Sequence, residues 1–69
     1  MSETSIYVVK TTANQERSVA NMIAQIARKE KYDIRALLVP DVLKGYVLVE
    51  SPAPEIVDQA IQGIPHARS

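Results

Sequence analysis

Few side chains in this sequence could do covalent or acid–base chemistry. The one histidine, His66, has no serine or carboxylate at a spacing that would make it a general base. Asp33, Asp41 and Asp58 form no recognisable pair for acid–base work. No cysteine is present, which excludes a disulfide and a thiolate metal site. Two glycines, Gly45 and Gly63, cannot build a phosphate-cradling loop. These residues predict a protein that is not an enzyme and holds no metal or cofactor of its own. What remains is the chemistry of recognition, concentrated in Lys44-Gly45-Tyr46-Val47-Leu48-Val49-Glu50. A tyrosine ring buries a large area at low entropic cost and keeps a polar tip. Tyr46 is therefore either the anchor of a binding surface or an ordinary core tyrosine.

The elements that must position these residues follow from periodicity. Residues 6–11, rich in β-branched side chains, read as a strand, as do 34–39, stopped by Pro40, and 46–50. Between the first two, Val19, Met22, Ile23 and Ile26 fall at the spacing of an amphipathic helix that ends near Lys31. Thr12 with Gln15 could form its capping box, or Asn14 could cap alone, and Glu16 suits the first turn. After the third strand, Ser51-Pro52-Ala53-Pro54 opens a second helix with the stripe Ile56, Val57, Ala60 and Ile61 and with Gly63 placed to end it. The order β-α-β-β-α is a split β-α-β, ferredoxin-like α+β pattern whose last strand is missing or short.

The chain has 69 residues, one domain at the lower edge of what folds without staples. Its 46% hydrophobic content is that of a globular domain. Eight basic residues balance eight acidic ones, so there is no electrostatic footprint for nonspecific nucleic-acid binding. Arg28, Lys29 and Lys31, interrupted by Glu30, sit where cations favour a helix C-terminus by roughly 0.3–1 kcal/mol each. Apolar runs reach only four residues and no leader pattern opens the chain, which predicts a soluble, cytoplasmic protein.

The strands are apolar on both sides. Tyr46 and Leu48 share one face and Val47 and Val49 the other; Ile6 and Val8 oppose Tyr7 and Val9; Ala36 and Leu38 oppose Leu37 and Val39. Two helices on right-handed crossovers lie on one face only. The other face must meet a partner, be covered by a further C-terminal segment, or be partly hidden by strand twist. Burying each large apolar group is worth roughly 1.5–3 kcal/mol, and monomers seldom leave such patches bare.

In register, these segments resemble the N-terminal (NGN) domain of NusG-class transcription elongation factors, especially the short form of archaeal and eukaryotic DSIF-type factors. Ile6-Tyr7-Val8-Val9-Lys10-Thr11 resembles the family's opening strand and Gln15-Glu16-Arg17 its helix start. Lys44-Gly45-Tyr46-Val47-Leu48-Val49-Glu50 is similar to its Lys-Gly-Tyr-x-x-x-Glu strand, and Ile61-Gln62-Gly63-Ile64-Pro65 to the turn after its second helix. Bacterial members carry a longer insertion before the third strand, so the compact link at residues 40–45 favours the archaeal branch. Asn14 departs from the pattern, since relatives often have glycine there.

The resemblance implies that residues 1–69 are one NGN-like domain, followed in a longer protein by a KOW-type domain. It implies a surface of Val8, Tyr46 and Leu48 gripping the coiled-coil tip of the RNA polymerase largest-subunit clamp. The domain would close the clamp over the DNA channel and raise processivity. It also implies a heterodimer with a small zinc-ribbon subunit that continues the sheet, with Glu50 meeting a partner helix N-terminus. Glu50 is alternatively a solvated strand-end carboxylate, and any zinc would belong to the partner.

Two other readings stand beside this one. Lys44-Gly45-Tyr46-Val47-Leu48-Val49 and Ile6-Tyr7-Val8 are near the strand signatures of an RNA-recognition motif, but Leu48 and Ser51 stand where stacking needs aromatics. A homodimer pairing its apolar faces is the other.

Overall fold

Alternation along paired strands sets the architecture. The computed structural model describes residues 3–68. They run β1 (Ser5–Thr11), α1 (Glu16–Glu30), β2 (Ala36–Leu38), β3 (Tyr46–Ser51), α2 (Pro54–Ile61) and β4 (Ala67–Arg68). The strands form one antiparallel sheet in the order β2-β3-β1-β4. The expected α+β arrangement is therefore present, and the final strand is short, two residues paired to the end of β1.

Both helices pack on one face. There the register sets Val9 opposite Val47 and Tyr7 opposite Val49, with Leu37 flanking Val49 from β2. Val19 and Ile23 of α1 and Val57, Ala60 and Ile61 of α2 close over these residues, and Ile64 completes the core. Met22 and Ile26 pack at its margin. Ser51 is the one buried polar residue among those described, and its Oγ donates to the Asp33 carbonyl at 3.1 Å. That bond removes most of the cost of a desolvated hydroxyl.

Helix ends follow the local chemistry, with one correction. No side chain caps α1: Gln15 sits at the N-cap position without a capping bond, and neither Thr12 nor Asn14 supplies one. The four-residue turn 12–15 is held by its backbone, the Gln15 N–H donating to the Thr12 carbonyl at 3.0 Å. Asn14 takes the left-handed conformation, φ 71°, which explains why glycine is a natural occupant of that position. At the other end Lys31 is left-handed and its N–H reaches the Ala27 carbonyl, while Arg28 and Lys29 lie in the last turn. α2 begins at Pro54, whose missing N–H is no loss in a first turn. It ends before Gly63, at φ 86°, one residue past the C-cap Gln62.

β2 is shorter than its apolar run because Pro40 and the link beyond it leave the sheet. Its pairing with β3 is extended by one bond, the Arg35 N–H to the Glu50 carbonyl at 2.8 Å.

Candidate protein-docking face

The face away from the helices is built from three cross-strand rows. Directly opposite residues share a face in an antiparallel pair. At one end Ala36, Glu50 and Ile6 form a row; in the middle Leu38, Leu48 and Val8; at the other end Tyr46, Lys10 and Arg68. The structure thus brings Val8, Tyr46 and Leu48 together on the helix-free face. Val8 is 50% exposed, Ile6 and Leu38 56% each, and Tyr46 36%, whereas Val9, Val47 and Val49 one position away are 0% exposed. Strand parity alone produces that contrast.

Of the three tyrosines, only Tyr46 belongs to the open face. Tyr7 points the other way and Tyr32 packs against the core. A second stacking ring of the kind an RNA-recognition motif uses is therefore missing from the described sheet face.

Tyr46 is delivered by a glycine that only one conformation suits. Gly45 has φ 85°, and a Cβ there would stand 3.4 Å from the Thr11 carbonyl oxygen. Its own carbonyl accepts from the Thr11 N–H at 2.8 Å, and its N–H donates to Glu16 Oε2 at 2.6 Å. The Gly45 N–H, first among the causes, holds the Glu16 carboxyl below its ordinary value, against a smaller opposing effect of desolvation. Sequence reasoning placed Glu16 as a first-turn acid and missed this tether, which joins the start of α1 to the start of β3.

Glu50 lies at the opposite end of β3. Its Oε2 accepts a hydrogen bond from Thr4 Oγ1, so the carboxylate is engaged within the chain. β3 has neighbours on both sides, so Glu50 is one strand in from the edge that β2 forms. Beside it, Arg35 makes two hydrogen bonds to Asp33, Nε to Oδ1 at 2.6 Å and a second at 3.1 Å. That hydrogen bond holds the Asp33 carboxyl down and raises Arg35.

Lys10 and Arg68 went unnoticed in the sequence, although Lys10 is two residues past Val8 and so had to share its face. Val42 and Leu43 are exposed in the link between β2 and β3, where the sequence shows only a connection. Concave surface lies at the two edges of the sheet, about 370 Å³ each. One depression is lined by Ala24, Ala27, Tyr32, Ile34 and Leu37, the other by Lys10, Thr12, His66 and Arg68. His66 is exposed, its Nδ1 3.2 Å from Thr12 Oγ1. Among the described residues no group of three or more potential ligands could hold a metal ion, and no helix is long and apolar enough to cross a membrane.

Residues 5–69 match the family model described as the NGN section of an early transcription elongation factor of RNA polymerase II. Transcription elongation factor Spt5 of Methanocaldococcus jannaschii is 40% identical over 63 residues, covering 91% of this chain and 43% of that protein. The crystal structure of the N-terminal domain of NusG from the same organism superposes with a TM-score of 0.89 at 38% identity, covering 94% of this chain and 81% of that one. A crystal structure of an MjSpt4:Spt5 complex gives a TM-score of 0.91 at 38% identity, covering 94% of this chain and 47% of that one. The chain spans less than half the length of the curated relatives it matches.

Proposed function

The chain belongs to the Spt5 NGN family of transcription elongation factors, and from that premise we propose that its open sheet face grips the coiled-coil tip of the RNA polymerase clamp. One observation supports this above the rest: Val8, Leu48 and Tyr46 lie in adjacent rows of a face that neither α1 nor α2 covers. A coiled-coil tip offers apolar side chains at a comparable scale. Burying a few of these groups supplies binding energy of the right order, each worth roughly 1.5–3 kcal/mol. Tyr46 is the anchor, Val8 and Leu48 the walls beside it. Docked there, the domain holds the clamp closed over the DNA channel and raises processivity without performing chemistry.

The chain also pairs with a small zinc-ribbon subunit of the Spt4 kind, by analogy with the complex its structural relative forms. Because β3 is internal, a sheet shared across that interface has to grow from one of the edge strands, β2 or β4, and Glu50 stands next to the β2 edge. The zinc belongs to that partner.

The test is Tyr46→Ala in binding to purified archaeal RNA polymerase. Loss of the ring should weaken binding by at least roughly tenfold, the scale of an interface anchor, while circular dichroism and the melting transition show a folded domain. A folded variant that binds as tightly as the parent chain removes the site. In pull-downs from native extract, polymerase and a zinc-ribbon subunit should both be recovered.

A further inference from the structure

The open face is not electrically uniform along the strands. Its row at one end carries the Glu50 carboxylate, its middle row is wholly apolar, and its other end carries Lys10 and Arg68 beside Tyr46. Two residues rise by roughly 6.6 Å along a strand, so Glu50 and Tyr46 are about 13 Å apart along β3. Lys10 and Arg68 are directly opposite each other across β1 and β4. Like charges in that relation destabilise a sheet. Among the described residues neither cation has an ion-pair partner. The corner they form with Thr12 and His66 is concave, about 370 Å³, and could take a side chain.

From these observations we infer that Lys10 and Arg68 receive carboxylates of the docked protein and so set the direction in which it lies on the face. The inference rests on the docking reading above and deepens it: the partner surface is an apolar tip with an acidic segment on one side. A charge conflict in the free chain becomes an attraction in the complex. An acidic polypeptide fits better than a nucleic-acid backbone, because the cations adjoin Tyr46 and Val8, for which a phosphate chain has no complement. Glu50 at the far end repels the same acidic segment, so the reversed orientation is disfavoured from both ends.

Lys10→Glu with Arg68→Glu, in the full chain, tests this against nucleic-acid-free archaeal polymerase over a series of salt concentrations. The double variant should bind roughly five- to tenfold more weakly at low salt, mainly through a slower association rate, and approach the parent at high salt. A second variant, Lys10→Gln with Arg68→Gln, relieves the cross-strand repulsion. It should melt no lower than the parent yet still lose part of the low-salt affinity, which separates recognition from folding. If Tyr46→Ala abolishes binding while both charge variants keep the parental affinity and salt dependence, the inference is overturned and the docking reading stands. If Tyr46→Ala is also silent, both fall. A charge effect that appears only when polymerase carries a DNA–RNA scaffold would assign the corner to phosphate and overturn the inference equally.

Discussion

Val8 and Val9 are neighbours with the same side chain and opposite fates. Val9 belongs to the sheet face that α1 and α2 close over; Val8 belongs to the face left open. The same division separates Val47 and Val49 from Leu48. Hydrophobicity therefore does not say where a side chain goes in this sheet. The number of helices does, because two crossovers on one side leave the other without cover. The helix-covered face holds the domain together, and the open face is the one whose apolar side chains the fold itself leaves unused.

The sharpest way to break that division is an isosteric pair. Val9→Thr replaces a methyl by a hydroxyl in the core, where no acceptor has been provided, and should cost about 1–3 kcal/mol. In a domain this small each kcal/mol lowers the melting temperature by roughly 4–8 °C. Val8→Thr makes the same change where water can reach, and threonine suits a strand, so stability should move by less than about 0.5 kcal/mol. Thermal melts of the two variants decide the matter. Equal losses would mean that the two faces are equivalent in the free chain and that the open face has been misassigned.

A smaller effect is expected where the two faces are joined. Gly45 is left-handed and its missing Cβ faces the Thr11 carbonyl oxygen. Gly45→Ala should cost about 1–2 kcal/mol, since alanine pays for that backbone conformation even though a 3.4 Å approach is ordinary contact. The strain falls one residue before Tyr46, so polymerase binding should weaken along with the melt. A variant that melts lower but binds normally would show that Tyr46 is positioned independently of the glycine.

Much of this was legible in the sequence. Periodicity of two in the strands and three to four in the helices locates the elements, and parity puts Tyr46 and Leu48 on one face before any coordinates are known, whereas Val8 joins them only through the family resemblance and the register of β1 against β3. The family pattern around Lys44-Gly45-Tyr46 pointed to the same residues. What stayed hidden depends on pairing between distant segments. Lys10 meets Arg68 only because β4, two residues long, returns beside β1. No local propensity announces so short a strand. Glu16 reaches Gly45 across 29 positions, and a first-turn acid looks the same in sequence whether it faces water or a backbone amide. The capping box failed for a similar reason. Its residues were present, but the Thr12 hydroxyl meets His66 from the far end of the chain, while its carbonyl closes the turn.

The last prediction concerns that Glu16 tether, which couples the start of α1 on the covered side to the strand that carries Tyr46 on the open side. The Gly45 N–H holds the Glu16 carboxyl below its ordinary value of 4.5, and the guanidinium of Arg35 does the same for Asp33 from 3.8. A carboxyl lowered in the folded state contributes stability at every pH above its unfolded value. The contribution is lost as pH falls through the folded value, because protonation then favours neither state. These two groups should therefore leave the melting temperature level from neutrality down to about pH 5 and lower it below that. Glu16→Gln keeps an oxygen that can accept from Gly45 but removes the titration. Its acid limb should be shallower than the parent's, and Asp33→Asn in the same background should flatten it further. The effect is the smallest of those proposed, because both carboxylates lie near water and salt screens them. An acid limb unchanged by Glu16→Gln would show that the bond to Gly45 positions β3 without drawing on the charge.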